Sequence, residues 1–257
     1  MISWERSINI KTPYEIKIMR EAGRINAESL AAAVARVKPG VTTGALNEAF
    51  ESVQKKYDVY SPFKNYPGPY PYPASICTSV NDELVHGIPN DRELVDGDIV
   101  SIDCGTVYQG FVGDMSLTVP VGKVDAETQR LIKVTKQALE IAISKMLPGN
   151  TTGDVGYAVQ TFVEEKGFHI TRTYTGHGVG RKMHEGPQVP NYGKPGRGMK
   201  LREGMTIALE PMVLVGTGAT RVKDDEWTVA SADGSLTAHF EHTVAVTSNG
   251  PEILTEL

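Results

Sequence analysis

A chain of 257 residues, 40% of them hydrophobic, has material for one sizeable core, and residues 1–257 are read as a single domain. Its 26 basic and 31 acidic residues leave a net charge of −5 with no long run of either sign, which argues against a nucleic-acid footprint or a membrane-surface patch. No apolar stretch approaches the roughly 18 residues needed to span a bilayer, no secretory signal opens the chain, and Cys77 and Cys104 match no zinc-knuckle or redox spacing, so a reduced cytoplasmic setting is expected.

From Pro13 to about Lys38 the apolar residues recur at helical spacing, and Pro39-Gly40 stops the pattern. Thr42-Thr43-Gly44 opens a second helix that runs to about Lys56. The Gly/Pro-rich stretch Asn65–Tyr72 reads as a surface loop. The apolar run Asp98–Ile102 then reads as a strand with Asp103 at its polar end, where an aspartate commonly just caps a turn. Asp114 changes that reading, because it falls on the second arm of a hairpin whose turn holds Gly110. Two carboxylates on paired strands converge on one point, and burying them unpaired costs several kcal/mol each, so a divalent cation is the simplest explanation.

The second half repeats this order. Asp125 to Met146 is a long amphipathic stretch, Pro148-Gly149 stops it, and Thr151-Thr152-Gly153-Asp154 opens a helix to Lys166-Gly167. Lys38–Thr43 parallels Leu147–Thr152, an internal repeat that predicts two αα-then-ββ halves about a pseudo-two-fold axis, with site residues on the strands at the join. Periodicity alone supports an α+β class.

His177 lies between glycines in Thr175–Gly180, open to a ligand, and His184 follows seven residues later. A lone histidine is usually structural, but two in a Gly-rich stretch weaken that reading. Gly186–Gly198 is read as a second surface loop. Glu210 ends the strand Met205–Leu209 and is followed by Pro211, while Glu241 is embedded in a strand from Ala238 to Val246, where a charge needs a partner. Asp103, Asp114, His177, Glu210 and Glu241 together suggest a binuclear metal centre.

With these residues in place, Asn81–Pro89 (NDELVHGIP), Asp103, Asp114, Tyr174–Tyr192 (YTGHGVGRKMHEGPQVPNY), Ala208–Pro211 (ALEP) and Phe240–Thr243 (FEHT) resemble the type I methionine aminopeptidases in their short bacterial form, from Lys11 to the end of the chain. The resemblance implies the pita-bread fold, with a central antiparallel sheet and outer helices. It also implies two divalent ions, Mn, Fe(II) or Co. Asp103 would chelate one, Asp114 and Glu241 would bridge both, and His177 with Glu210 would hold the second. Glu210 would accept a proton from the attacking water, His184 would donate to the scissile carbonyl oxygen, and His86 would contact the peptide nitrogen. Tyr72, Cys77, Met183 and Trp227 would enclose the methionine side chain.

This chain departs from familiar members at Met183, where an aromatic is common, at Tyr70-Pro71-Tyr72, in place of a Gly/His-containing approach, and at His239, where a glutamine is common. The resemblance further implies a monomer acting on nascent polypeptides whose second residue is small, and it leaves transient ribosome association open. No room is expected for an N-terminal extension, and the insertion of type II enzymes is missing. Two alternatives stand beside this reading: an Xaa-Pro aminopeptidase or prolidase, which generally carries a further N-terminal domain, and a non-catalytic binding relative of the same fold.

Overall fold

The computed structural model describes residues 8–257. Helix α1 (Pro13–Val34) starts where Thr12 and Glu15 form a capping box, with Pro13 in the first turn. Helix α2 (Thr43–Lys56) is capped by Thr42, α3 (Ala126–Ser144) by Asp125, and α4 (Thr152–Glu165) by a second box of Thr151 and Asp154. The first helix is shorter than its sequence pattern predicts, because Ala35–Lys38 leave the helix before Pro39 can break it.

Among the described residues fourteen strands follow the order β1 (Ile76–Val80), β2 (Glu83–Val85), β3 (Ile99–Tyr108), β4 (Phe111–Pro120), β5 (His169–Ile170), β6 (Gly176–Gly178), β7 (Glu185–Val189), β8 (Thr206–Leu209), β9 (Met212–Leu214), β10 (Thr220–Val222), β11 (Val229–Ser231), β12 (Thr237–His239), β13 (Glu241–Thr247) and β14 (Gly250–Ile253). The main sheet is antiparallel, in the order β1-β3-β4-β13-β8-β6-β7, with β14 also on β13. Two three-stranded sheets, β10-β11-β2 and β12-β9-β5, flank it.

Strict alternation along the strands divides the main sheet into an apolar face and a polar one. Val100, Ile102 and Cys104 of β3 and Met115 of β4 pack under Leu30 and Ala33 of α1 and Leu46 and Phe50 of α2. Ile207 and Leu209 of β8 and Val244 and Val246 of β13 pack under α3 and α4 in a second core. The register pairs Met115 with His242 and His242 with Leu209, so both helix pairs cover one face of the sheet. Each large side chain fully buried there stabilises by roughly 1.5–3 kcal/mol. Ser101, Asp103 and Gly105, by parity, look the other way.

Helix α1 lies close to the sheet because glycines meet at the crossing. A Cβ on Gly113 would collide with the backbone of Gly23, and one on Gly23 with the carbonyl of Leu254. Buried amides fix the contact: Asn26 Nδ2 donates to the Cys104 carbonyl at 2.7 Å, and Gln54 Nε2 donates to Thr106 Oγ1 at 2.7 Å.

Three local expectations are corrected. Asp103 is in the interior of β3 rather than at its end, because the strand continues through Cys104–Tyr108 to the hairpin at Gln109-Gly110. Gly186–Val189 belong to the largely buried β7 and are not surface loop. The stretch Ala238–Val246 is two strands: β12 pairs with β9 in a flanking sheet, and the chain changes sheets at Phe240 before β13 begins.

Candidate metal centre and substrate cavity

The sheet register brings the acidic residues together. Cys77 is opposite Asp103, Asp103 opposite Ser116, and Ser116 opposite Glu241, a single row across β1, β3, β4 and β13. One row away, Asp114 is opposite Gly105, and Ala208 lies between Thr243 and His177. Glu210 stands two residues beyond Ala208, on the same face. Thr243 locks the rows in place: its hydroxyl accepts from Asp114 N–H at 3.0 Å and donates to the Asp114 carbonyl at 2.9 Å.

Asp114, His177 and Glu241 are all buried, and each presents a donor atom within 4.8 Å of the other two. His177 Nε2 is 3.7 Å from Asp114 Oδ2 and 3.6 Å from Glu210 Oε1, too far for hydrogen bonds. Its Nδ1 lies 2.9 Å from the Gly178 carbonyl, which only an N–H can satisfy, so the lone pair of Nε2 faces the carboxylates. Asp103 Oδ1 and both oxygens of Asp114 are buried without a hydrogen-bond partner among the described residues. Burial pushes Asp103 up to about 7. Burial, reinforced by the neighbouring carboxylates, holds Asp114, Glu210 and Glu241 well above the usual range.

A cluster of repelling, unpaired carboxylates around one imidazole lone pair is costly in a bare protein and matches a hard or borderline divalent ion. The residues present therefore fit a metal.

Beside them a cavity of about 270 Å³ is lined by the eleven residues given a ligand, catalytic or pocket role from the sequence: Tyr72, Cys77, His86, Asp103, Asp114, His177, Met183, His184, Glu210, Trp227 and Glu241. Its apolar lobe consists of Phe63, Tyr72 and Cys77, with Met183 and Trp227 packed against them. The Tyr72 hydroxyl is 2.9 Å from the Gly87 carbonyl to which it donates, and the Trp227 ring meets Tyr72 edge-on at 5.2 Å.

His86 follows β2 with a left-handed backbone, φ 62°, and its ring meets those of Tyr174 and Trp227 edge-on at 6.0 and 6.2 Å. His184 lies over His177, with ring centroids 4.3 Å apart, and its Nδ1 is 2.6 Å from the Tyr66 hydroxyl. Burial lowers His86 to about 4, with help from His184, and lowers His184 to about 3, with help from His177. Both rings are neutral in ordinary buffers.

The sequence alone did not single out Tyr66; its only signal was membership of the Tyr/Pro-rich loop Asn65–Tyr72. Gln188 and Met212 also line the cavity and carried no signal of their own.

The pattern of metallopeptidase family M24 matches residues 17–248. The chain belongs to metallopeptidase family M24. Within that family it is 48% identical to the methionine aminopeptidase of Clostridium acetobutylicum, an alignment covering 96% of this chain and 98% of that one. It is 44% identical to methionine aminopeptidase 1 of Bacillus subtilis strain 168, again over 96% and 98% of the two chains. The crystal structure of methionine aminopeptidase from Rickettsia prowazekii superposes with a TM-score of 0.94 at 42% identity, covering 97% of this chain and all of that one. Prolidase from Pyrococcus furiosus shares the fold, with a TM-score of 0.78 at 24% identity over 96% of this chain and 65% of its own. The pita-bread architecture expected from the motifs is therefore the architecture of this M24 chain. Among its described residues no helix is long and apolar enough to cross a membrane.

Proposed function

We propose that this M24 chain removes the N-terminal methionine from polypeptides whose second residue is small, by metal-dependent hydrolysis of the first peptide bond. The observation that carries this reading is the cavity itself, where the buried Asp114, His177 and Glu241 group adjoins a lobe of sulfur and aromatic groups. The methionine aminopeptidases that match almost the whole chain support it further.

In this reading Asp103, Asp114, His177, Glu210 and Glu241 hold two divalent ions, Mn, Fe(II) or Co, which suit a set of oxygens and one imidazole. Bound ions supply Lewis acidity and make a water acidic enough to attack at neutral pH. The chain's residues do the rest. Tyr72, Cys77, Met183 and Trp227 enclose the thioether side chain, with sulfur and ring contacts worth about 0.3–1.5 kcal/mol each. Glu210 takes the proton of the attacking water.

With the Tyr66 hydroxyl, 2.6 Å away, as donor to His184 Nδ1, His184 Nε2 would be the N–H that meets the carbonyl oxygen as charge develops on it. His86, which lines the same cavity, would contact the leaving peptide nitrogen. A cytoplasmic monomer of one catalytic domain, working on nascent chains with transient ribosome contact, completes the proposal; the unpaired, buried Cys77 and Cys104 suit a reducing compartment.

The test is release of free methionine from Met-Ala-Ser, Leu-Ala-Ser and Met-Pro by protein stripped with a chelator and then reloaded with Mn, Co or Fe(II). Metal-restored release from Met-Ala-Ser, with little from the leucine peptide, is expected. Failure with every metal in a folded protein that binds ions would sink the catalytic reading, and preference for the Met-Pro peptide would move it to the Xaa-Pro enzymes.

A further inference from the structure

His239 is 1% exposed, and neither ring nitrogen has a hydrogen-bond partner among the described residues. A neutral imidazole carries one N–H and one lone pair, and leaving such a group unsatisfied in the interior costs about 1–3 kcal/mol. The ring is not loose. The main-chain N–H of His239 donates to Thr118 Oγ1 at 2.9 Å, the Thr118 hydroxyl is 2.9 Å from the His239 carbonyl, and Ser101 Oγ lies 2.8 Å from that hydroxyl. Pairing with Met212 fixes the other side of β12.

From this anchored position Nε2 is 3.8 Å from Glu210 Oε2 and 3.8 Å from Glu241 Oε2. These distances exceed a hydrogen bond, and a displacement of less than about 1 Å would close either one. The compact donor group is Asp114, His177 and Glu241, and His239 is outside it. That placement suits a group that acts on the ligands rather than on the ion.

We propose that His239 is a positioning residue of the metal centre, its Nε2–H donating to the carboxylates of Glu210 and Glu241 and fixing how their remaining lone pairs point at the ion. The inference rests on the metal reading above. A donor of this kind typically changes metal affinity by about 10–100-fold. An apolar side chain of similar volume removes the donor without opening a cavity, and a glutamine amide supplies an N–H in its place.

The experiment is calorimetric titration of Mn(II) into chelator-stripped wild type, H239L, H239M and H239Q, each first shown by circular dichroism to be folded; two apolar variants guard against one of them misfolding. Mn(II) affinity about 10–100-fold weaker in the apolar variants, with most of it regained in H239Q, is the expected result. Unchanged affinity in H239L or H239M would overturn the inference while leaving the metal reading intact. Equal losses in the apolar variants and H239Q, together with an altered visible spectrum of the Co(II) form, would overturn it by making the ring a direct ligand. Failure of the wild type to bind Mn(II) would bring down the metal reading itself.

Discussion

His86 combines an unusual backbone with a reactive position. A non-glycine residue in the left-handed region costs roughly 1–3 kcal/mol and persists only where its surroundings impose it. Here the next residue, Gly87, runs against the Thr78 carbonyl so closely that any Cβ would clash. Alanine at position 86 would mix loss of the imidazole with backbone strain, whereas asparagine tolerates the left-handed region. The His86→Asn variant is therefore expected to keep its metal content and melting temperature and to lose about 100- to 1000-fold in turnover. Metal analysis, a thermal melt and methionine release on one preparation check this, and loss of metal would count against the assignment. At this scale the sequence was most legible where a residue broke a pattern: Asp103 closes an apolar run, Glu241 interrupts a β-type stretch, and His177 stands between glycines. Tyr66 and His239 break nothing locally. Tyr66 acquires its meaning from His184, which is remote in sequence, and His239 from Glu210, between β8 and β9, and Glu241, at the start of β13.

Among the elements, the turn that carries Met183 and His184 depends on one buried ion pair. Lys11 Nζ donates to Glu185 Oε2 at 2.6 Å, and Glu185 Oε1 accepts the backbone N–H of Arg181 at 2.9 Å and of Lys182 at 3.2 Å. Burial is the largest single influence on Glu185 and pushes its carboxyl up, but the hydrogen bonds from Lys11 and Asn9 and the charge of Lys11 together hold it below its usual value. Burial also weakens the proton affinity of Lys11 against the pull of Glu185. The geometry supports an ionised pair, since Lys11 and the Arg181 and Lys182 N–H groups all donate to the carboxylate. Lys11→Met leaves that charge buried with its main partner gone, so a loss of about 3–5 kcal/mol is expected in denaturant unfolding. Lys11→Met/Glu185→Leu should recover part of it, and a single variant as stable as wild type would show that the pair adds nothing. Helices α1 to α4 were readable because capping residues and Pro-Gly stops are local signals. The break at Phe240 was not, because β12 and β13 form one continuous β-type stretch and only their partners, β9 and β8, assign them to different sheets.

For the whole molecule, the main sheet joins two helix-covered halves at β4 and β13, where the ladder is two residue pairs long, Glu241 with Ser116 and His242 with Met115. The carboxylate cluster spans that seam, with Asp103 and Asp114 on one side and Glu210 and Glu241 on the other. In the metal-free protein Asp103 is raised from 3.8 to about 7, and the other three are raised as well. Folding then favours their protonated forms. That contribution is complete below about pH 4 and is lost as pH rises toward 7 and beyond. Chelator-stripped protein should therefore melt at a higher temperature at about pH 5.5 than at about pH 8, and added Mn(II) should raise the melting temperature more at the higher pH, as an ion competing with protons for one site requires. Equal metal effects at both pH values would contradict this picture. The repeat Lys38–Thr43 and Leu147–Thr152 had marked the two halves, but nothing in the linear order gave the narrowness of their junction.

Strand β13 comes late in chain order, with only β14 after it among the described residues, yet it lies in the middle of the main sheet, between β4 and β8. During synthesis from the N-terminus, β4 and β8 emerge first, each with an unpaired edge able to recruit a foreign strand. The two halves of the sheet are joined only when β13 enters between them, and the same strand delivers Glu241 to the cavity. Joining of the two halves and arrival of the last carboxylate are thus one event, so a ribosome-bound chain that has not yet released β13 can neither join its sheet nor act on its neighbours.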